Sequence, residues 1–217
     1  MINEVFDRDT VYWNAFYRKG LASNEPSLFA KYVYEKFIIE NGGSLIELGC
    51  GNGRDSAYFL GKGLCVTAID ASIDAIEHLQ DCYSENKKIE LVCGDFVNYN
   101  YDEKLYNYCY SRFSLHAISE KQEEVLIRRV YDLLKVNGYF FIEVRSVHDE
   151  LYGKGEKVGD DAYVWEGHFR RFARMGKLIE RIEEDGFVVH EAAEQRNFAP
   201  YKNENPYIIR LIAKKEL

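Results

Sequence analysis

The sequence lacks a basic excess: 28 lysines and arginines stand against 36 aspartates and glutamates, a formal net charge of −8 over 217 residues. Proteins that grip nucleic acid generally carry a positive face, so DNA and RNA are poor expected partners. Long apolar runs are missing as well. Nothing approaches the roughly 18 apolar residues of a membrane-spanning helix, and the opening "MINEVFDRDT" has no charged-then-apolar targeting layout. No membrane partner is expected, and the protein reads as cytoplasmic. Cys50, Cys65, Cys82, Cys93 and Cys109 are odd in number and show no CxxC or Cys/His spacing. They read as buried, reduced thiols, and no metal is expected. Repeats, low-complexity tracts and linkers are absent too, so 1–217 is expected to form one domain.

What is present is alternation. From Ser44 onward short apolar runs alternate with amphipathic segments, the pattern of a parallel sheet covered by helices on both faces. Strands are expected at 44–48, 65–69, 89–93, 106–111, 139–144, 188–195 and 207–214. Helices are expected near 55–61, 73–86, 121–134 and 176–185, the second opening on Ser72 and the third on Ser119. "VNG" at 136–138 and "EDGF" at 184–187 supply glycines to close the last two helices. The fold class is α/β: a three-layer, Rossmann-like, seven-stranded and mostly parallel sheet with a C-terminal antiparallel strand. Two regions stand outside the alternation. Residues 1–43 read as an N-terminal helical cap or lid, and 146–173 as a long polar insertion on the acceptor side.

In an open parallel sheet the ligand lies outside the carboxyl ends of the strands, against the first strand-to-helix turn. Here that turn is "LIELGCGNGRDS", with Gly49, Gly51 and Gly53 at alternate positions. Glycine allows a tight bend and a close ligand. A phosphate loop would need GxxxxGK, and no lysine stands there. A nicotinamide fingerprint would need a small residue at position 54, where Arg54 stands. Glu47, just before the glycines, suits a cationic amino group and would repel a pyrophosphate. Asp70 ends the second strand in "VTAIDAS", placed to take ribose hydroxyls, and Asp95 with Phe96 in "LVCGDF" is placed to bind and cover an adenine.

These motifs, in this order and spacing, resemble the class I S-adenosylmethionine-dependent methyltransferases, with "YNYCYSRFSLHAI" where the fourth motif falls. The resemblance runs from about Ser44 to Lys214. It implies S-adenosylmethionine as cofactor, with Glu47 and the glycine turn on its methionine part, Asp70 on the ribose, and Asp95 and Phe96 on the adenine. Asp55, Ala71, Ser72 and Ser111 complete the expected cofactor side, and Tyr12 and Trp13 are expected to fold over it.

Methyl transfer from a sulfonium chiefly requires alignment and exclusion of water, and a base only where the acceptor is protonated. His116 is the candidate base or orienting group. Arg112 and Arg145 end adjacent strands at the same sheet edge, and Arg170 and Arg171 close the insertion. Guanidinium groups gathered at a cleft suggest an anionic acceptor; the alternative is internal pairing with Glu143, Asp149 or Glu166. Tyr17, His168, Tyr201 and Lys202 are the remaining acceptor-side candidates. "YWNAFYRK", "DELYGKGEKVGDDAYVWEGHFRRF" and "FAPYKNENP" further resemble small bacterial methyltransferases of capsule and lipopolysaccharide clusters, some with a tellurite-resistance-like label. That narrower likeness implies O-methylation of a small anionic or sugar-linked acceptor, phosphoryl or phosphoramidate groups included. Thiol or tellurite-type methylation is the alternative, and an NAD-dependent oxidoreductase a more distant one.

Overall fold

The computed structural model describes residues 12–15, 23–38, 42–101 and 104–216. Its frame is a seven-stranded sheet made by β1 (Ser44–Leu48), β2 (Cys65–Asp70), β3 (Ile89–Cys93), β4 (Tyr106–Arg112), β5 (Leu134–Arg145), β9 (Val188–Gln195) and β10 (Ile208–Lys214). The order is β3-β2-β1-β4-β5-β10-β9. The first five strands are parallel, and β10 runs antiparallel to both β5 and β9. Strand order reverses between β1 and β4, where Leu48 pairs with Ser111. The carboxyl ends of these two strands therefore open a crevice.

Helices α1 (Leu28–Phe37), α2 (Arg54–Gly61) and α3 (Ile73–Tyr83) cover one face; α4 (Glu120–Leu133) and α5 (Met175–Glu184) cover the other. Period-2 alternation divides the strands between the layers. In β1, Leu45 packs with Phe29, Phe59 and Leu79 on the first face, whereas Ile46 and Leu48 join Leu126, Ile127 and Ile182 on the second. Local chemistry sets the helix starts. The Ser27 and Ser72 hydroxyls accept from Ala30 N and Ala75 N, and Ser119 with Gln122 forms a full capping box.

Four expectations need correction. The helix before "VNG" ends at Leu133 and runs straight into β5, which starts at Leu134. Asn137, not Gly138, takes the left-handed conformation, with φ 66°. Gly138 serves close approach instead: a Cβ there would lie 2.8 Å from Lys135 O and 3.0 Å from Asn107 O. The insertion, where no strands were expected, carries a three-stranded antiparallel sheet of β6 (Glu156–Gly159), β7 (Ala162–Trp165) and β8 (His168–Arg171). Third, Cys50 and Cys109 are buried as expected, but Cys65, Cys82 and Cys93 are exposed; all five are free thiols. Fourth, α3 ends at Tyr83, short of residue 86. Gly186, with φ 94°, does follow α5 as a closing glycine.

Candidate active site

A cavity of about 680 Å³ fills the crevice at the carboxyl ends of the parallel strands. One wall is the turn after β1, where Gly49, Gly51 and Gly53 all adopt left-handed backbone, φ 73°, 55° and 72°. Gly49 N and Cys50 N both donate to Ile69 O, so the turn is folded back across the end of β2. Gly53 lets α2 start against α3: a Cβ there would stand 2.3 Å from Leu79 Cδ2. Gly49 lines the cavity; Gly51 and Gly53 shape the turn from behind.

Glu47, Asp70 and Asp95 converge on this wall from three successive strands. Glu47 is 4% exposed and accepts from the Ser56 hydroxyl. Burial, reinforced by the neighbouring Asp55, raises its carboxyl well above the usual range. Asp70 accepts from Gly51 N and Ser72 N, both at 2.8 Å, and burial raises it too. Asp95 accepts from Val97 N and the Asn98 side chain. Ala71, Ser72 and Phe96 also line the cavity, and Ser72 Oγ donates to Asn14 Oδ1 in the helical residues 12–15.

Asp55 lies at the cavity wall but is engaged elsewhere. Its carboxylate accepts from Ser27 N (2.7 Å), Ser27 Oγ (2.8 Å) and Tyr110 OH (2.9 Å), pinning the start of α1 to β4. Ser111 lies behind the wall, its hydroxyl bonded to that of Ser114.

His116, on a 3₁₀ turn at Leu115–Ala117, lines the same cavity. It is 4% exposed, and among the described residues neither ring nitrogen has a hydrogen-bond partner. Burial, then His168 and the arginines at 145, 170 and 171, holds its pKa well below the ordinary imidazole value. A neutral imidazole facing a cavity can accept a proton or a hydrogen bond. Around it Tyr12 stacks on His168 at 4.4 Å, and Trp13 meets the same ring edge-on at 5.0 Å. Phe113, held at φ 56°, lies under the guanidinium of Arg112.

The arginines divide. Arg112 is ion-paired with the buried Glu143 at 2.8 Å, and Arg145 with Asp149 and Glu204. Internal pairing with Glu143 and Asp149 is thus what the structure contains, with Glu143 shared between Arg112 and Arg210; both Arg112 and Arg145 line the cavity while ion-paired. His168 and Arg170 face the cavity from alternate positions of β8. Arg171, one residue on, points away and bonds Leu115 O, Ile118 O and the Glu123 carboxylate. It does not line the cavity, and this corrects its assignment to the acceptor side. Tyr201 reaches the cavity, but Lys202 rests over the Tyr201 ring outside it. Tyr17 lies outside the described residues. Asn52, Phe113 and Glu204 also line the cavity. Asn52 sat inside the glycine motif and was readable there; nothing local to the sequence marks the other two. Among the described residues no His, Cys, Asp or Glu group is placed to hold a metal, and no helix is long and apolar enough to cross a membrane.

This sheet order, with carboxylates on three strand ends beside a left-handed glycine turn, defines the S-adenosylmethionine-dependent methyltransferase fold. Residues 45–138, which carry all three carboxylates, match the family described as a methyltransferase domain. Over 99% of its length the chain superposes on 90% of the 1,6-didemethyltoxoflavin-N1-methyltransferase of Burkholderia thailandensis, solved with 1,6-didemethyltoxoflavin and S-adenosylhomocysteine, with TM-score 0.76 and 18% identity. In sequence it is 23% identical to phosphoethanolamine N-methyltransferase 3 of Arabidopsis thaliana over 147 residues, 67% of this chain and 29% of that protein. It is 29% identical to the cypemycin N-terminal methyltransferase of a Streptomyces species over 104 residues, 48% of this chain and 42% of that protein. The chain spans less than half the length of these two curated relatives.

Proposed function

We propose that the protein transfers a methyl group from S-adenosylmethionine to a protonated nitrogen or oxygen of a small acceptor, with His116 receiving the proton. One observation carries this reading: a single cavity is lined both by three strand-end carboxylates and by a buried imidazole with no hydrogen-bond partner among the described residues. The residues suit the cofactor. Glu47 matches an ammonium group, Asp70 and Asp95 match hydroxyl and amino donors, and Phe96 offers a ring face. Bound there, the cofactor supplies an electrophilic methyl group whose bonding electrons return to sulfur. The chain supplies the rest: Glu47, Asp70 and Asp95 orient, the aromatic wall of Tyr12, Trp13 and Phe113 excludes water, and neutral His116 takes the acceptor's proton.

The acceptor read from the arginines, anionic or sugar-linked as in a capsule or lipopolysaccharide precursor, rests on cavity-lining guanidinium groups of which Arg112 and Arg145 are ion-paired within the chain, so pairing alone accounts for their presence there. The relatives act by name on phosphoethanolamine, on the N-terminus of cypemycin and on N1 of 1,6-didemethyltoxoflavin, three unlike acceptors. They support the methyl donor and leave the acceptor to experiment. Calorimetry with adenosylhomocysteine and with NADH tests the cofactor: binding of the first and not the second is expected, and the reverse would sink the reading. An acceptor screen following adenosylhomocysteine release then compares native protein with His116→Gln. General base catalysis contributes roughly 10²–10⁴-fold, so a rate loss of that order is expected near neutral pH. An undiminished rate would point instead to an acceptor that is already a strong nucleophile, such as a thiolate.

A further inference from the structure

Arg171 is a buried arginine, 8% exposed, that faces away from the cavity, yet its guanidinium reaches the turn bearing His116 from both sides. Nε donates to Ile118 O at 3.1 Å and Nη2 to Leu115 O at 3.3 Å, so the carbonyls bracketing Leu115–Ala117 are held by one planar fork. The fork is itself anchored. Nη2 also bonds the carboxylate of Glu123, which is 2% exposed in α4, and Arg181 of α5 bonds the same carboxylate at 2.5 Å. Three elements therefore converge on a turn of only three residues. Within the turn the internal backbone bond is Ala117 N to Ser114 O.

We propose that Arg171 is a positioning residue for His116: from the insertion sheet it fixes the turn so that the imidazole projects into the cavity, and it places a cation behind a ring that must be neutral before it can take a proton. The proposal rests on His116 being the group that meets the acceptor. Charge and geometry act in the same direction. The groups facing His116 are His168 and Arg170 of β8, Arg145 at the end of β5, and Arg171 itself, and each opposes a positive imidazole. Bidentate donation to two carbonyls is a task for a planar fork, which lysine lacks. The insertion sheet thereby acquires a role in the reaction without touching a reactant.

The test needs no acceptor. The chain has five histidines, His78, His116, His148, His168 and His190, so ¹³C-histidine spectra of the full chain are tractable, with His116→Gln assigning its resonance. In native protein the His116 signal is expected to keep its neutral position as pH falls below the ordinary imidazole midpoint. In Arg171→Met the midpoint is expected to move upward. In Arg171→Lys the midpoint is expected to stay low while the resonance at neutral pH splits or shifts. Adenosylhomocysteine affinity, measured on the same samples, is expected to be unchanged in both. A native His116 signal and midpoint in Arg171→Met, with that affinity intact, would overturn the proposal. Should the methionine variant fail to fold, a native His116 resonance in Arg171→Lys overturns it equally. Absence of adenosylhomocysteine binding by native protein would instead defeat the methyltransferase reading, and the histidine titration remains readable without it.

Discussion

Glycine 53 and glycine 61 bracket one helix and have opposite relations to their surroundings. At Gly53 the backbone is left-handed and a Cβ would sit 2.3 Å from Leu79. Gly53→Ala therefore combines a left-handed alanine with overpacking, a loss of about 2–4 kcal/mol in urea unfolding. At Gly61, the last residue of α2, a Cβ meets nothing within 4 Å, and Gly61→Ala is expected to gain about 0.5 kcal/mol. Equal effects at the two positions would refute this account of the turn. The carboxylates follow another logic. Glu47 contributes most stability below its ordinary range near 4.5, and that contribution is lost as pH rises through its raised folded value. Glu47→Gln should thus stabilise the free protein increasingly with pH while weakening adenosylhomocysteine binding roughly 10- to 100-fold, the value of a charge-assisted hydrogen bond. A variant no more stable at pH 8 than at pH 5, relative to native, would contradict it. Glu47, Asp70 and Asp95 were legible in sequence because strand ends announce themselves. Arg170 and Arg171 were not separable there, since only the register of β8 decides which one faces the cavity.

Elements were read well where one long pattern dictated them and poorly where several short ones competed. The seven main strands stand within a residue of expectation except β5, whose start at Leu134 follows α4 with no intervening loop. Strands β6 to β8 escaped notice because each has four residues, too few for alternation to register. A signal was present: Glu166 and Gly167, both with positive φ, join the paired Trp165 and His168 as a two-residue hairpin turn. The start of α1 offers the sharpest test at this scale. Asp55 satisfies Ser27 N, Ser27 Oγ and Tyr110 OH, all buried, and Asp55→Ala strands these donors. Its cost is expected at roughly 3 kcal/mol or more. Tyr110→Phe, by a double-mutant cycle, should recover part of that loss as a coupling energy. Strict additivity of the two changes would show that the network does not hold α1 to the sheet.

Across the whole molecule, the topology concentrates ionisable groups whose preferred states oppose one another. Burial keeps Glu47 and Asp70 toward the protonated form in the cavity, while burial and cationic neighbours keep His116, which lines the same cavity, toward the deprotonated form. The histidine's folded pKa lies below 6.5, so its neutral burial costs stability as pH falls below that value; the two carboxyls cost stability as pH rises above their ordinary range. The free protein is therefore opposed from both sides, and a cationic ligand beside Glu47 relieves one of them. In the proposed complex the ammonium group of adenosylhomocysteine favours the charged carboxylate, so binding at acidic pH must expel the proton that Glu47 holds in the free chain. Calorimetric heats measured in buffers of different ionisation enthalpy are expected to reveal net proton release there. The release should fade as pH rises through the folded pKa of Glu47, and affinity should rise over the same interval. In Glu47→Gln the proton release at acidic pH should shrink even where binding is still measurable, any remainder falling to Asp70. Buffer-independent heats for the native protein throughout the acidic range would remove Glu47 from contact with the amino group and place the ligand's cation elsewhere in the cavity.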